Sequence, residues 1–348
     1  MIVLSIFSLF IIILLLFVVL FIFLMYLLVQ RQRESYFEKV RDRYLQNYSQ
    51  LWYDYLFNNA LFSIVLVPRG RAQVEAIERI FSSYLKNIRN EQVELKIKQF
   101  SNQYLKAFYE KDLSSRRWSI RMNALYRIAD LQIDQLLTKC QEFEKNNITD
   151  EEHFQLLKIY SLFQPDLFME KIKNSNVNYA ESEYRRLFVL LDDNVFIQFF
   201  HDFNSLPANM QFAVIDTAAV KRKMEYLEEL KKLLDHDTTE INIRALKGFY
   251  EIGIIDEMDP FIPFVTSEMW EARLMVAKIF RHVPLTYTYS YLEQLLQDEN
   301  WWVRSQAAKT IVEDRQGIAK LQQFIESSND QYAIEMAQEI AARKEGGK

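Results

Sequence analysis

The sequence predicts an all-α protein, in which one N-terminal transmembrane helix is followed by an α-α superhelical solenoid. Three observations predict it. Ile2 to Val29 is a run without one charged side chain. Glycine and proline number only six each in 348 residues, too few to punctuate a β fold. The rest of the chain places apolar residues three and four apart, as in Leu227, Leu230, Leu233, Leu234 and in Ile318, Leu321, Phe324, Ile325, and repeats that pattern with a longer period near 30.

The apolar run comes first. It is built of Leu, Ile, Phe and Val, interrupted only by Ser5, Ser8, Met25 and Tyr26. A helix rises about 1.5 Å per residue, so roughly 20 residues cross a hydrocarbon core about 30 Å thick. A helix also satisfies its own backbone hydrogen bonds, which lipid cannot. A secretory leader would carry a basic start, an apolar stretch of about 7–15 residues and a small-residue cleavage site, and the run matches none of these. Arg31, Arg33, Lys39, Arg41 and Arg43 follow it, while no Lys or Arg precedes it. Positive residues flank the cytoplasmic end of a membrane helix, so the expectation is a single-pass protein of the plasma membrane with its N-terminus outside and residues 30–348 in the cytoplasm. The single cysteine, Cys140, suits that reducing compartment and reads as a small buried hydrophobe.

The expected organisation is an anchor over residues 1–30, a juxtamembrane helical segment over 31–90 and a repeat array over 91–345. In the juxtamembrane segment Tyr36, Phe37, Tyr44, Tyr48, Trp52, Tyr53, Tyr55 and Phe57 alternate with charges. Glu34, Glu38 and Asp42 dilute the basic side that a lipid surface would attract, so these aromatics are expected to cap the first repeat. Ala60 to Val67 is apolar but too short to span, and Pro68-Arg69-Gly70 marks a turn.

The repeat is carried by WSIRMNALYRIA from Trp118, INIRALKGFYEIG from Ile241, MWEARLMVAKIF from Met269 and NWWVRSQAAKTIVE from Asn300. Each sets an Arg before small and apolar residues. Arg244, Arg273 and Arg304 are 29 and 31 residues apart, and Glu335, Gln211, Arg185, Gln155 and Arg121 extend the register in both directions. A hairpin of two helices leaves one apolar face bare, and the next hairpin buries it.

These units resemble HEAT repeats, particularly the short bacterial HEAT-like kind, on LLQDENWWVRSQAAKTI, where Asp298 precedes Arg304 by six. The pattern weakens at Asp237 before Arg244 and at Ser267 before Arg273. The resemblance implies that Asp298, Arg244, Arg273 and Arg304 form a structural ladder along the inter-helix turns. It also implies that the second helix of each unit lines a concave side. Taken as Val195–Phe203, Met224–Leu234, Met258–Val265, Tyr287–Leu296 and Ile318–Ile325, those helices carry Tyr287, Tyr289, Tyr291 and Phe261 as candidate partner-binding residues, since exposed aromatics favour interfaces.

No catalytic constellation stands out, and no cofactor or metal is expected. His153, His201, His236 and His282 are scattered, and neither a phosphate-binding glycine loop nor a Cys-x-x-Cys occurs. Asp235-His236-Asp237 falls between helices rather than at a strand end, so it reads as a solvated turn. Glu142, Glu144, Asp150, Glu151 and Glu152 read as an acidic surface loop. The net charge of −5 speaks against a nucleic-acid binder. The expected role is therefore a non-enzymatic scaffold that binds a partner protein at the membrane, for instance as accessory subunit of a membrane enzyme. The alternative is a tethered HEAT-like enzyme of the lyase or glycosylase type.

Overall fold

The computed structural model describes residues 6–175 and 177–346. Residues 2–5 of the apolar run lie outside them. Among the described residues there are helices and turns and no strand. The chain divides into two compact units, 1–164 and 165–348.

In the first unit, α1 runs unbroken from Ile6 to Phe57. No proline or glycine occurs before Pro68, so nothing interrupts its hydrogen-bond ladder where the apolar side chains give way to charged ones. The expected boundary at residue 30 is thus a change of side chains within one helix. From Phe10 to Val29 every residue is exposed, and the segment is long and apolar enough to cross a membrane. A secretory leader passes that same test of length and composition. The helix stays largely exposed to Arg43, and from Tyr44 onward it is docked.

The docking rests on aromatics. Trp52 is fully buried, with Phe81 and Phe100 edge-on at centroid distances of 4.9 and 4.8 Å. Its indole Nε1 donates to the Tyr44 hydroxyl at 3.2 Å, which in turn donates to the carbonyl of Leu66 at 2.7 Å. These residues therefore dock α1 on the helices that follow it, while Tyr36 remains exposed. At the far end of α1, Lys96 Nζ donates to the carbonyls of Tyr55 and Leu56 at 2.8 and 3.1 Å and to Asn59 Oδ1 at 2.9 Å. A cation there complements the negative end of the helix dipole. Asn59 takes the left-handed conformation, which lets the chain leave the helix without a glycine.

α1 packs on α2 (Arg71–Asn87) and α3 (Glu91–Phe100). A π-helical turn, Ser101–Leu105, joins α3 to α4 (Lys106–Leu113). The turn presents Asn102, whose Nδ2 donates to the Gln132 carbonyl and whose Oδ1 accepts from the Gln135 amide, so it fixes the bend after α5 (Trp118–Asp130). α6 (Leu137–Glu144) and α7 (Asp150–Phe163) complete the unit, and α5 packs on α7.

The second unit contains α8 (Pro165–Lys173), α9 (Glu181–Phe188), α10 (Asp193–Phe196), α11 (Gln198–His201), α12 (Ala208–Lys221), α13 (Leu227–Lys232), α14 (Thr239–Ile252), α15 (Trp270–Ile279), α16 (Leu285–Leu296), α17 (Trp301–Glu313), α18 (Gly317–Ser327) and α19 (Gln331–Gly346). α9, α12, α14, α15, α17 and α19 form one layer in which each helix packs directly on the next. The intervening helices meet that layer far more than they meet one another. Where the sequence suggests a helix over Met258–Val265, the chain forms a 3₁₀ segment, Asp259–Thr266, because Pro260 and Pro263 remove two backbone donors. Gly253 ends α14 at φ 75°, and a Cβ there would also meet the His282 ring at 3.2 Å.

Candidate interaction surface

The ladder arginines share one local geometry. Arg121, Arg273 and Arg304 are each the fourth residue of their helix. In each, Nη1 donates to the backbone carbonyls six and five residues earlier. The acceptors are Ser115 and Arg116 at 3.2 Å each, Ser267 and Glu268 at 2.7 and 3.2 Å, and Asp298 and Glu299 at 2.7 and 3.0 Å. The guanidinium thus ties down carbonyls of the turn that enters the helix. Its other edge reaches the next repeat. Arg273 grips Asp298 through two bonds, Nε to Oδ2 at 2.6 Å and Nη2 to Oδ1 at 2.9 Å, and Arg121 Nε donates to Glu152 Oε1 at 2.8 Å. Asp298 therefore pairs with the arginine of the preceding repeat, while Arg304 holds only its backbone carbonyl. The ladder stops at Arg304, whose Nε is buried without a partner and whose guanidinium lies 5.7 Å from the Tyr332 ring.

Arg244 stands apart, because it is the sixth residue of its helix. The fourth is Asn242, and its Nδ2 donates to the carbonyls of Leu233, Leu234 and His236 at 3.0, 2.7 and 2.9 Å. Asn242 thus fixes the entering turn that Arg244 was expected to hold. Arg244 instead anchors a charged cluster across α9, α12 and α14. It donates to Glu240 at 2.6 Å, Glu181 at 3.1 Å and Asp216 at 3.0 Å, and lies 4.4 Å above the Phe212 ring. Burial and a hydrogen bond to Glu181 push the Asp216 carboxyl above the usual range, against the pull of Arg244 and Lys247. Burial acts the same way on Glu181, but bonds from Arg244 and Asp216 and the charge of Arg185 outweigh it and hold that carboxyl low.

Glu152 was missed by sequence reasoning, which placed it in an acidic surface loop. It is fully buried. It forms a capping box with Thr149, its Oε2 accepting from the Thr149 amide at 3.0 Å and its own amide donating to Thr149 Oγ1 at 3.3 Å. The signal was present as Thr149-x-x-Glu152 ahead of an apolar run.

Of the candidate partner-binding aromatics, Tyr287 is 68 % exposed. Tyr289 is half-buried beneath Lys320, 4.8 Å from its Nζ, and its hydroxyl is pushed up to about 12 by burial and by Glu293. Tyr291 is half-buried against Phe280. Phe261 is 2 % exposed and edge-on to Phe249 at 5.0 Å, so it belongs to the core and is removed from the candidates. A pocket of about 170 Å³ opens beside it, lined by Leu227, Lys231, Phe249 and Pro260 among others. That is below the roughly 300–1,000 Å³ of small-molecule sites.

Among the described residues no group of three or more His, Cys, Asp or Glu is placed to hold a metal ion. His236 sits in a turn, its Nδ1 accepting from the Thr238 amide at 3.0 Å. Cys140 is buried, and burial pushes its thiol up to about 12. Its reaction with a thiol reagent at pH 8 is expected to be slower than that of an unfolded control by a factor of about 10³, following a buried thiol with a raised pKa. Labelling of the native chain at the free-thiol rate would contradict that packing.

The comparisons with known proteins bear on one repeat. The HEAT repeat family model matches residues 289–313, which span α16 from Tyr289, the turn bearing Asp298, and all of α17. No curated protein matches the chain. The match makes α16 the first helix of its unit and α17 the second. Tyr287, Tyr289 and Tyr291 therefore lie on the first helix of that unit, where Tyr287–Leu296 was expected to be the second. Together, this match and the all-helical fold of the described residues support a HEAT-like helical-repeat protein.

Proposed function

We propose that the protein is a membrane-anchored scaffold that binds a partner protein through its helical repeats and carries out no catalysis of its own. The observation that carries this reading is α1. Its apolar segment is wholly uncovered, and the same helix continues without a break into the repeat body, where Trp52 and Tyr44 lock it. An apolar surface of that size needs lipid to cover it. Tethering confines the repeats near the membrane and raises their effective concentration toward partners in that plane. Arg31, Arg33 and Arg41 after the segment favour a cytoplasmic repeat body. The layer from α9 to α19 supports a solenoid of stacked hairpins whose second helices face the partner, and service to a membrane enzyme is one form of this role.

The test is direct. The chain is expected to resist alkaline extraction from membranes and to keep its first 29 residues, as intact mass would record. The double substitution Leu16→Arg/Leu20→Arg costs about 2.5–3.5 kcal/mol per charge at the helix centre. It is expected to release most of the protein to the soluble fraction. A mature chain cleaved after the apolar run, or a reporter at Lys348 reading as extracytoplasmic, would overturn the anchor or its orientation respectively.

A further inference from the structure

The stacked layer carries a second register that the arginine motif does not predict. The ninth residue of α14 is Lys247, that of α15 is Lys278 and that of α17 is Lys309. They are 31 residues apart at each step. The ninth residue of α12 is Asp216 and that of α19 is Glu339, so the lysine row is bounded by an acid at each end. Lys247 and Lys309 are exposed and Lys278 is half-buried between them. The row is a physical alignment as well as a numerical one, because α14 packs directly on α15 and α15 on α17. Burial pushes the Lys278 ammonium below its ordinary range, and the charges of both Lys247 and Lys309 push it the same way, against Glu251.

Internal compensation along the row is thin: Asp216 feels the charge of Lys247 but is bonded to Arg244 at 3.0 Å. Glu251 acts on Lys278 but is itself bonded to Arg222 at 2.6 Å, and Glu313 at the end of α17 is taken by Arg281 at 3.1 Å. Tyr250 lies below the row, 5.7 Å from Lys278 Nζ, and its hydroxyl accepts from Arg281. In a chain of net charge −5, three like charges in adjacent repeats make a local positive strip.

We propose that this strip, Lys247–Lys278–Lys309, is the docking site for an extended acidic segment of the partner protein. The inference rests on the scaffold reading and deepens it. Packed helices lie about 8–10 Å apart, so the row is about 20 Å long. An extended polyproline-type strand rises about 3.1 Å per residue with three residues per turn, so acids at every third position recur on one face about 9 Å apart. Three such carboxylates match three lysines, and the row ends where the ninth residue changes to Asp216, which Arg244 holds, and to Glu339, which Arg343 holds. A compact ammonium on a flexible stem suits single carboxylates at this spacing, whereas duplex nucleic acid presents charge far more densely than one per repeat.

The experiment uses the full chain in detergent and a fluorescent peptide with Glu at every third position between prolines. Anisotropy is expected to report binding that weakens at least tenfold between 50 and 300 mM salt. It should also weaken at least tenfold in Lys247→Gln/Lys278→Gln/Lys309→Gln, with a matched Gln peptide silent throughout. The double variant Lys247→Gln/Lys309→Gln changes only exposed side chains and is expected to lose most of the affinity with an unchanged helical spectrum. Unaltered binding by either variant overturns the proposal. So does binding of duplex DNA or of anionic lipid vesicles as tight as the peptide, which would make the strip a general polyanion surface. A partner crosslinked in native membranes equally by wild type and triple variant would remove the strip and leave the scaffold standing. Peptide binding lost in the variants, with no protein crosslinked by either chain, would keep the strip and sink the scaffold.

Discussion

Replacing Trp52 by alanine is expected to lower the stability of the 1–164 unit by about 3–5 kcal/mol, the usual cost of emptying a buried aromatic site. The size follows from what Trp52 holds. Its ring fills the space between Phe81 of α2 and Phe100 of α3, and its Nε1 begins the relay through Tyr44 to the Leu66 carbonyl. Loss of the ring opens a cavity at the junction of three helices and leaves the Tyr44 hydroxyl with one partner fewer. The free-energy loss is read from denaturant unfolding of the full chain in detergent, and limited proteolysis should show new cleavage between Tyr44 and Phe57. Trp52→Phe keeps most of the packing and is expected to lose less than half as much. An alanine variant with wild-type unfolding would show that α1 is not held where the structure places it.

The second large effect is expected at the ladder. Arg273 and Asp298 are both buried to about nine-tenths, and each is the other's main charged partner. Removing one leaves a buried charge uncompensated, which costs about 3–5 kcal/mol, whereas removing both costs much less. Arg273→Ala and Asp298→Ala should therefore each destabilise the 165–348 unit by about that amount. Arg273→Met/Asp298→Leu should recover at least half of it. Arg273→Lys loses the bidentate geometry and the carbonyl bonds to Ser267 and Glu268, so it is expected to fall between wild type and alanine. Thermal unfolding of the four chains decides the matter. Strictly additive single losses would mean that the two residues act through separate contacts.

The pattern of what was readable in the sequence has a physical logic. The arginines of WSIRMNALYRIA, MWEARLMVAKIF and NWWVRSQAAKTIVE stood out because a clamp on the entering turn needs the same residue at the same helical position each time. Asn242 escaped notice because a different side chain does that work, and Arg244, two residues on, drew the eye by its charge. Glu152 was legible only through its capping box, since neither its composition nor its acidic neighbours mark it as buried. Phe261, Tyr289 and Tyr291 could not be sorted into core and surface, because two prolines turn one helix into a 3₁₀ segment and Tyr287–Leu296 was taken as a second helix where the HEAT match makes it a first. The lysine row was invisible until helix starts were known, because position within a helix, more than distance from the arginine, puts Lys247, Lys278 and Lys309 in line.

The unbroken course of α1 has a mechanical consequence. From residue 30 to Phe57 it extends about 42 Å at 1.5 Å per residue, with no proline or glycine to act as a joint. With the apolar segment in a bilayer, this helix is a mast stepped in the lipid. A helix meets a thinner or thicker bilayer by changing its tilt. A change of about ten degrees at the foot sweeps the masthead sideways by roughly 7 Å over that length. The first unit, clamped along the upper half of the mast by Tyr44, Trp52 and Lys96, would travel with it, so a change in lipid thickness would become a lateral motion of that unit.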